Sequence, residues 1–591
     1  MIKIFYLLIF LYIDVYAQVE EKEKFLDTKL HLCANCISVI DEGSGKILLQ
    51  SFKNELIASY DTSSLKVDIE IEEKKGGLDI SYHIKNITRK AVLMPDLFVP
   101  GIKMKISDRL DILSTNTALY MQKRDITSID PKRDYYNVGS VIYKKRSGRL
   151  VEEEFYYGGD TFSPYAPVIV AKDLNFSVGA ALIYPFLEYG YDGKKEEGKH
   201  KVIKNKLYPK MRIYRDGNSY RYAFLFAKKG YLKSLLPAKK SYDFVVSVRF
   251  AKPSDYIFTL KPYKTFLSKS YECEKSSSKN LDPILVVNFA FYGSVTKKSK
   301  RGWAWGLEKE NEKGEYILPL KEVSVAFSEL MREKGYKRIM FTAFSGVYDH
   351  SKAPDLFDEL PFQILTNLTQ NMSEELNSSM KIFVSNDQKI SFWWGIAGMT
   401  VIDKEGKLLN DDVWQPYSDR PFKLSNEDER RYALRQLSKA KELNVSSLTL
   451  DAYARMEEKS ALEWLKRMKK IAPKIEFALE MQIDYMHRYA AITLQPENLM
   501  FEDVDLKYNM LTKRAELAEY LNGDREIRVW LQNKAAKEKE REYVEKLIEL
   551  GYTPIVSYED SPLLDHDENN VTKRILDHPE ILTDVKGVGG S

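Results

Sequence analysis

The chain has 591 residues, more than one ordinary hydrophobic core holds, so two or more domains are expected. Hydrophobic residues make up 44% of the chain and charged residues 30%, a balance that excludes disordered and fibrous proteins. Lysine and arginine number 90 against 86 aspartates and glutamates, and no long basic block interrupts the chain. The net charge of +4 therefore gives no sign of a nucleic-acid partner.

The N-terminus has the pattern of a signal peptide over residues 1–17. Lys3 supplies a positive charge, Ile4 to Ile13 form a short apolar run, and Val15 to Ala17 offer small residues to a signal peptidase. This run is too short to span a bilayer comfortably, although a retained N-terminal anchor is the alternative. No later apolar stretch approaches the roughly 18 residues of a membrane span. We predict a secreted or periplasmic mature chain that begins near Gln18 and has no membrane span.

The chain has three cysteines, Cys33, Cys36 and Cys273. Export permits disulfides, and Cys33 and Cys36 are spaced to close a tight one with a structural role. Redox chemistry would need a βαβ context, and a zinc site would need a second CxxC pair, which is lacking. Seven scattered histidines show no metal-ligand spacing, and the oxygen-rich stretch 565–569, where calcium is an alternative, lacks the EF-hand pattern. We predict no metal and no cofactor.

From about residue 27 to 265, apolar and polar residues alternate with the period of β-strands. The segment 65–71 alternates in this way, and after the turn at 74–77 the alternation resumes, which predicts a hairpin with one buried face. No convincing amphipathic helix interrupts the later runs. We predict an antiparallel β-sandwich domain over residues 18–270, followed by a polar linker over 271–282.

After the linker, apolar segments alternate with amphipathic ones. Eight segments are predicted as strands, at residues 284–291, 338–344, 381–385, 447–451, 476–480, 491–495, 526–532 and 554–558. Helices are predicted at residues 320–334, 360–376, 426–443, 459–471, 513–522 and 535–550. This order predicts a (β/α)8 TIM barrel over residues 283–560, with a C-terminal extension over 561–591. A doubly wound open sheet is the rival, but no Gly-rich phosphate loop follows the first strand.

Barrel enzymes place their chemistry at the C-terminal ends of the strands. The predicted strands four and five each end in an acid that follows a leucine, namely Asp451 and Glu480. Adjacent strands lie about 4.8 Å apart, so these carboxyl groups can approach the roughly 5–5.5 Å separation of retaining glycosidases. One would attack the anomeric carbon, while the other protonates the leaving oxygen and then activates water. A helix cap or an ion pair is the structural alternative for each acid.

Aromatic and polar residues near the other strand ends are candidates for substrate binding. All seven tryptophans lie in the barrel half, and flat aromatic faces suit sugar rings, although they also serve ordinary packing. Trp464, on a helix, and Trp530, within a strand, are assigned to the core. The predicted substrate-binding residues are Trp303, Trp305, Asp349, Asp387, Trp393, Trp394, Trp414, Gln495, Gln532, Asn533 and Glu559. Four of these, Asp387, Trp393, Trp394 and Trp414, are placed after the third predicted strand.

A large N-terminal β-sandwich before a barrel with Asp451 and Glu480 at its strand ends resembles the exported retaining α-glycosidases. This group includes α-galactosidases, α-glucosidases and endo-α-N-acetylgalactosaminidases. The resemblance implies that Asp451 is the nucleophile, because many members have an Asp ending strand four. It implies that Glu480 is the acid/base, as in α-amylase-like members and endo-α-N-acetylgalactosaminidases. Asp451 and Ala452 are also similar to the Asp-Ala pair near the α-amylase nucleophile.

The chain departs from each subfamily pattern. The α-amylase pattern has an Arg two residues before the nucleophile, where Thr449 stands, and an Asp ending strand seven, where Gln532 and Asn533 stand. The α-galactosidase pattern has an acid/base Asp after strand six, where this chain has Gln495. Retaining β-glycosidases carry Glu on strands four and seven and fit less well. The resemblance therefore leaves the subfamily open.

These patterns predict an exported glycoside hydrolase that cleaves α-linked oligosaccharide or polysaccharide by a retaining double displacement, with carbohydrate as its partner. The alternative is a catalytically silent glycan-binding or envelope polysaccharide-assembly protein on the same scaffold, because fold does not fix function. A polysaccharide deacetylase or lyase is a further enzyme option, and the lack of a His-rich metal cluster counts against the deacetylase.

Overall fold

The computed structural model describes residues 24–104, 111–114, 124–125, 135–138, 142–146, 149–153, 166–184, 208–216, 219–227, 235–271, 280–288, 309–310, 316–317, 320–342, 370–395, 427–451, 458–480, 486–490, 492–495, 516–522, 526–532, 540–557 and 575–588. Within these ranges the chain has an antiparallel β half up to residue 251 and a parallel α/β half from residue 284.

The strands of the antiparallel half are β1 (Thr28–Leu32), β2 (Cys36–Asp41), β3 (Ile47–Phe52), β4 (Leu65–Lys74), β5 (Gly77–Asn86), β6 (Val92–Leu93), β7 (Leu97–Phe98), β8 (Asp111–Ser114), β9 (Arg124–Asp125), β10 (Tyr135–Val138), β11 (Ile142–Arg146), β12 (Arg149–Glu153), β13 (Val168–Lys172), β14 (Ser177–Ile183), β15 (Tyr208–Asp216), β16 (Ser219–Ala227), β17 (Leu235–Leu236) and β18 (Ser241–Ala251). One sheet has the order β4-β5-β18-β14-β13-β8-β9 and another the order β10-β15-β16-β7. Strands β1, β2 and β3 form a third sheet, and a disulfide joins Cys33 to Cys36 at its first turn.

The two larger sheets face each other across a shared core. The rings of Phe226 on β16 and Phe244 on β18 lie 4.7 Å apart between centroids. The hydroxyl of Tyr82 on β5 lies 2.9 Å from the carbonyl oxygens of both Leu56 and Phe98, and burial raises its pKa. The predicted hairpin is also present, since β4 and β5 are joined by a short turn in which Gly76 has a φ of +72°. The antiparallel β architecture predicted for this half is thus confirmed.

The eight parallel strands are β19 (Ile284–Asn288), β22 (Arg338–Thr342), β23 (Lys389–Gly395), β24 (Ser447–Asp451), β25 (Glu476–Glu480), β26 (Ile492–Gln495), β27 (Glu526–Gln532) and β28 (Thr553–Ser557). A separate pair, β20 (Lys309–Glu310) and β21 (Tyr316–Ile317), is antiparallel. The helices are α1 (Lys261–Ser270), α2 (Leu320–Lys334), α3 (Gln370–Ser385), α4 (Glu427–Glu442), α5 (Glu458–Ile471), α6 (Glu516–Asn522) and α7 (Glu540–Glu549).

Each parallel strand pairs with the next along the chain. The first strand, β19, also pairs with β28, through Ile284 with Ile555 and Leu285 with Val556. Following the paired residues once around the ring displaces the register by eight residues, the stagger typical of a (β/α)8 barrel. An antiparallel β half followed by an α/β half is therefore the architecture of the chain, as predicted. The predicted domain boundaries stay predictions.

The third predicted strand is wrong. Residues 381–385 end helix α3, and the strand is β23, which begins at Lys389. The three consecutive apolar residues at 382–384 fit a strand and a helix equally well, and here the helix period prevails. Leu376, Met380 and Phe383 are at most 1% exposed and lie on one helix face. The helix predicted at 360–376 is confirmed over residues 370–376, but it continues to Ser385, and residues 360–369 lie outside the described residues.

Helix α1, which was not predicted, connects the two halves. Its preceding 3₁₀ segment places the ring of Phe258 5.9 Å from the ring of Tyr520 on α6. The ammonium group of Lys264 lies 4.1 Å from the centroid of the same tyrosine ring. On the sandwich side, a Cβ at Gly179 would lie 2.2 Å from the hydroxyl of Thr259, so this close approach requires glycine.

The C-terminal segment 575–588 packs between the first and last helices of the ring. Ile575, Leu582 and Val585 are at most 2% exposed. The backbone N–H of Val585 donates to the carbonyl of Lys334 on α2 at 2.8 Å, and Arg541 on α7 donates to the carbonyl of Asp584 at 3.2 Å. The segment therefore covers the position that the eighth helix takes in an ordinary (β/α)8 barrel.

The N-terminal end of the ring interior holds a buried ion cluster. Glu526 accepts hydrogen bonds from Arg338 at 2.7 Å and from Arg528 at 2.6 Å, and these side chains are at most 6% exposed. Arg528 also donates to the hydroxyl of Ser447 at 3.0 Å, which lies 2.7 Å from the hydroxyl of Ser391. Burial alone would raise the pKa of Glu526, but the attraction of the two arginines outweighs it and lowers the pKa. The cluster thus ties β22, β23, β24 and β27 together.

We expect Glu526→Gln to lower the free energy of unfolding of the α/β half by about 3–5 kcal/mol, because two buried guanidinium groups lose their carboxylate. Chemical denaturation followed by circular dichroism measures this change. Glu549→Gln is the matched control, because its exposed carboxylate pairs with Lys546 at 2.9 Å and such pairs contribute about 0–1 kcal/mol. Equal losses in the two variants would contradict a stabilising role for the cluster.

Candidate active site

Two neighbouring parallel strands each end in an acidic residue, at the same position in their register. Leu450 on β24 pairs with Leu479 on β25, and the next residue on each strand is the last, Asp451 on one and Glu480 on the other. The bounds of both strands are those predicted from the sequence. Because paired residues of adjacent strands lie about 4.8 Å apart, the two backbone positions are neighbours at the C-terminal edge of the ring.

Both acidic positions belong to the inner face of the ring. Leu448 and Leu450 pack in the core shared with the helices, whereas the hydroxyl of Thr449 lies 3.6 Å from the sulfur of Met340 inside the ring. Side chains alternate between the two faces of a strand, so the position of Asp451 shares the inner face with Thr449. The same alternation puts Glu480 on the inner face, because Leu479 packs toward the helices.

A layer of apolar side chains lies inside the ring below the acidic positions. It consists of Ile284, Val286, Met340, Trp393 and Ile555, each at most 6% exposed. Met340 lies two residues beyond Arg338, and Trp393 two residues beyond Ser391, toward the C-terminal ends of their strands, whereas Ile284 is paired with Arg338 itself. Part of the ring interior near the ion cluster is therefore apolar and has a low dielectric constant.

Glu476 places a further carboxyl group on the inner face of β25, four residues before Glu480. Burial raises the pKa of Glu476, and repulsion from Glu526 raises it further. Three positive charges lower the pKa of Glu476 by a smaller total amount, those of Arg528, Lys469 and Arg338. This end of the ring therefore combines permanent positive charges with carboxylates whose ionisation depends on their neighbours.

Trp393 and Trp394 lie within β23, so the prediction that they follow the third strand is wrong. Trp394 is 1% exposed and packs in the main core, on the helix side of the ring. Trp393 is 6% exposed and belongs to the apolar layer inside the ring. Burial in the barrel wall accounts for both side chains as packing residues. Trp464, on α5, is 2% exposed, in agreement with its predicted place in the core.

Asp387 does not follow a strand as predicted. It lies in the exposed turn that precedes β23, with a φ of 56°, at the opposite end of the ring from Asp451. Gln495 ends β26 as predicted, but it pairs with Val529, which packs toward the helices, so its position lies on the outer face. Gln532 ends β27 and shares the inner face with Arg528.

The remaining predicted substrate-binding residues lie outside the described residues. They are Trp303, Trp305, Asp349, Trp414, Asn533 and Glu559. Within the described ranges, no cluster of three or more His, Cys, Asp or Glu residues is arranged to hold a metal ion. None of the helices in the described part of the chain has the length and apolarity needed to cross a bilayer.

The sequence prediction missed Arg338, Glu526 and Arg528. A signal for them is visible in the sequence, because charged residues interrupt otherwise apolar strands at alternate positions, as Glu526 and Arg528 do in β27. On a strand buried on both faces, such residues need partners inside the ring. The partners themselves are distant in sequence and become evident only in the fold.

The comparisons with known proteins concern the fold. No family model and no curated protein sequence matches the chain. The α-N-acetylgalactosaminidase NagBb from Bifidobacterium bifidum is similar in structure at a TM-score of 0.51 and 10% identity, over 95% of this chain and 85% of that chain. An α-galactosidase from Lactobacillus brevis gives a TM-score of 0.42 at 8% identity, over 95% and 70%. At 10% identity the first similarity shows a shared fold alone.

We expect the double variant Asp451→Cys, Glu480→Cys, made in a Cys273→Ser background, to form a disulfide on mild oxidation. A Cα separation of about 4.8 Å for paired strand positions falls within the roughly 4.4–6.8 Å that a disulfide spans. Peptide mapping by mass spectrometry identifies the bond. The control pair Asp451→Cys, Glu476→Cys should stay reduced, because Glu476 lies about 13 Å further along its strand. Failure of the first pair to bond would refute the adjacency.

Proposed function

We propose that the chain is a glycoside hydrolase that cleaves α-linked oligosaccharide or polysaccharide by a retaining double displacement. The observation that carries this proposal is the register of β24 and β25, which brings Asp451 and Glu480 to adjacent positions on the inner face. A backbone spacing of about 4.8 Å is compatible with the roughly 5–5.5 Å between the carboxyl groups of retaining enzymes. Inverting enzymes need about 6.5–9.5 Å to admit a water molecule.

The two acids take different roles in this mechanism. Asp451 attacks the anomeric carbon as the bond to the leaving oxygen breaks, and a glycosyl ester forms on its carboxylate. Glu480 donates its proton to the leaving oxygen in that step and is left ionised. It then accepts a proton from water as the water attacks the ester, so the sugar regains its first configuration and both acids return to their initial states.

The α-linkage and the place of action rest on further support. An α-N-acetylgalactosaminidase is among the proteins that share this fold, and its name describes a hydrolase of α-linked amino sugars. The sequence over residues 1–17 has the pattern of a signal peptide, so we propose that the enzyme acts outside the cytoplasm.

We expect Asp451→Asn to reduce turnover by on the order of 10⁴–10⁶-fold, because an amide cannot form the glycosyl ester. Hydrolysis of a panel of aryl α- and β-glycosides, with an assay of the product anomer, identifies the best substrate and measures the loss. Asp387→Asn is the matched control, since its side chain lies in an exposed turn at the other end of the ring. Wild-type rates in the Asp451 variant would exclude it as the nucleophile.

We expect Glu480→Gln to slow natural substrates about 10²–10⁴-fold more than aryl glycosides with good leaving groups, because good leaving groups need little protonation. Azide should partly rescue Glu480→Ala on an activated substrate, since it replaces the water that needs a base. The azide product should retain the configuration of the substrate, because it forms from a glycosyl-enzyme that has already been inverted once. Equal losses on both substrate types would assign the acid/base role elsewhere. A wild-type chain inactive on every substrate that it binds would favour the silent glycan-binding alternative.

A further inference from the structure

The ion cluster and the two acidic strand ends share the interior of the ring. The hydrogen-bond register passes from Glu480 on β25 to Leu494 on β26 and from Leu494 to Arg528 on β27. Arg528 is therefore two strands from Glu480 on the same line of paired residues, which corresponds to about 10 Å between their backbones. Its position is on the inner face, as that of Glu480 is.

The charge of Arg528 is incompletely compensated. Its side chain is fully buried, and one terminal nitrogen, Nη1, has no hydrogen-bond partner among the described residues. Its carboxylate partner, Glu526, is shared with a second guanidinium, that of Arg338. A buried guanidinium stays protonated, so this positive charge is permanent over the pH range of enzyme activity.

The charged groups that face this cluster come from four elements. Glu526 lies on β27 beside Arg528, Arg338 on β22, Glu476 on β25, and Lys469 on helix α5. Apolar residues lie on the way from these groups to the acidic strand ends, since Leu494 stands between Arg528 and Glu480 in the register and Met340 lies two residues beyond Arg338. Solvent ions do not screen charges through such residues as they do at a surface, so the field of the cluster extends to the strand ends.

We propose that Arg528 is a positioning residue whose buried charge lowers the pKa values of the Asp451 and Glu480 carboxyl groups, and that Glu526 opposes it. A separation of about 10 Å and an effective dielectric constant of about 20 give an influence of about one pKa unit for the charge of Arg528 on Glu480. The role of the two acids in hydrolysis rests on the proposed function, but the electrostatic coupling between the cluster and the acids does not.

The test measures the pKa values of the two acids without a substrate. Carbodiimide labels protonated carboxyl groups, and the labelling of Asp451 and Glu480 is followed against pH by mass spectrometry. Arg528→Met should raise the labelling midpoints by about 0.5–1 pH unit, and Glu526→Gln should lower them by a similar amount. Arg528→Lys keeps the charge and should restore the wild-type midpoint. Ser447→Ala removes a hydrogen bond of Arg528 without changing charge and should leave the midpoints in place.

Glu476→Gln provides a second variant, at a side chain that is half-buried and not fully buried as that of Arg528 is. Loss of this carboxylate should shift the midpoints downward, as Glu526→Gln does. A purely structural role for the cluster predicts unchanged midpoints, or shifts of the same sign in Arg528→Met and Glu526→Gln, and either result would overturn the proposal. The pH limbs of kcat/KM on the best substrate should move in the same directions. Shifted labelling in a chain without hydrolysis would reject the proposed function and keep this inference.

Discussion

The hydrogen-bond register of the parallel strands is the constraint on which the rest of the α/β half depends. Once Leu450 is paired with Leu479, strand alternation decides which side chains enter the ring and which pack against the helices. The inner face of the ring then carries, from its N-terminal to its C-terminal end, a charged cluster, an apolar layer and two acids. A slip of one residue in either strand would turn its acid toward the helices and its leucines inward.

The chain's strands could be predicted where the local pattern admits one interpretation. The strands 447–451, 476–480 and 526–532 are each a buried run with clear limits, and the structure has the same bounds. The apolar residues 382–384 do not mark a strand, because they end α3, where Phe383 completes the buried face of the helix. Helix α1 was missed because its ten residues have few apolar positions, and its contact with α6, through Lys264 and the ring of Tyr520, is not visible in the sequence.

In the candidate site, too, the sequence predicts residues that follow recognisable strands but not partners that are distant in the chain. Asp451 and Glu480 could be predicted because each follows a recognisable strand and neighbouring strands are consecutive in the chain. Arg338 and Glu526 are 188 residues apart, and nothing near either residue in the sequence names its partner. Two tryptophans were assigned to substrate binding because strand three was placed too early. The wrong position of the third strand thus led to wrong assignments of site residues.

The pairing of β19 with β28 has a consequence for the synthesis of the chain. Ile284 and Ile555, which meet in that pair, are 271 residues apart. At a synthesis rate of about 5–20 residues per second, roughly 15–55 s pass between the appearance of the first strand and that of the last. During this time one edge of β19 has no native neighbour, and an open apolar edge invites association with other chains. The strands of the antiparallel half are complete by residue 251, so that half can fold during this interval, and the α/β half is the part that stays open to association.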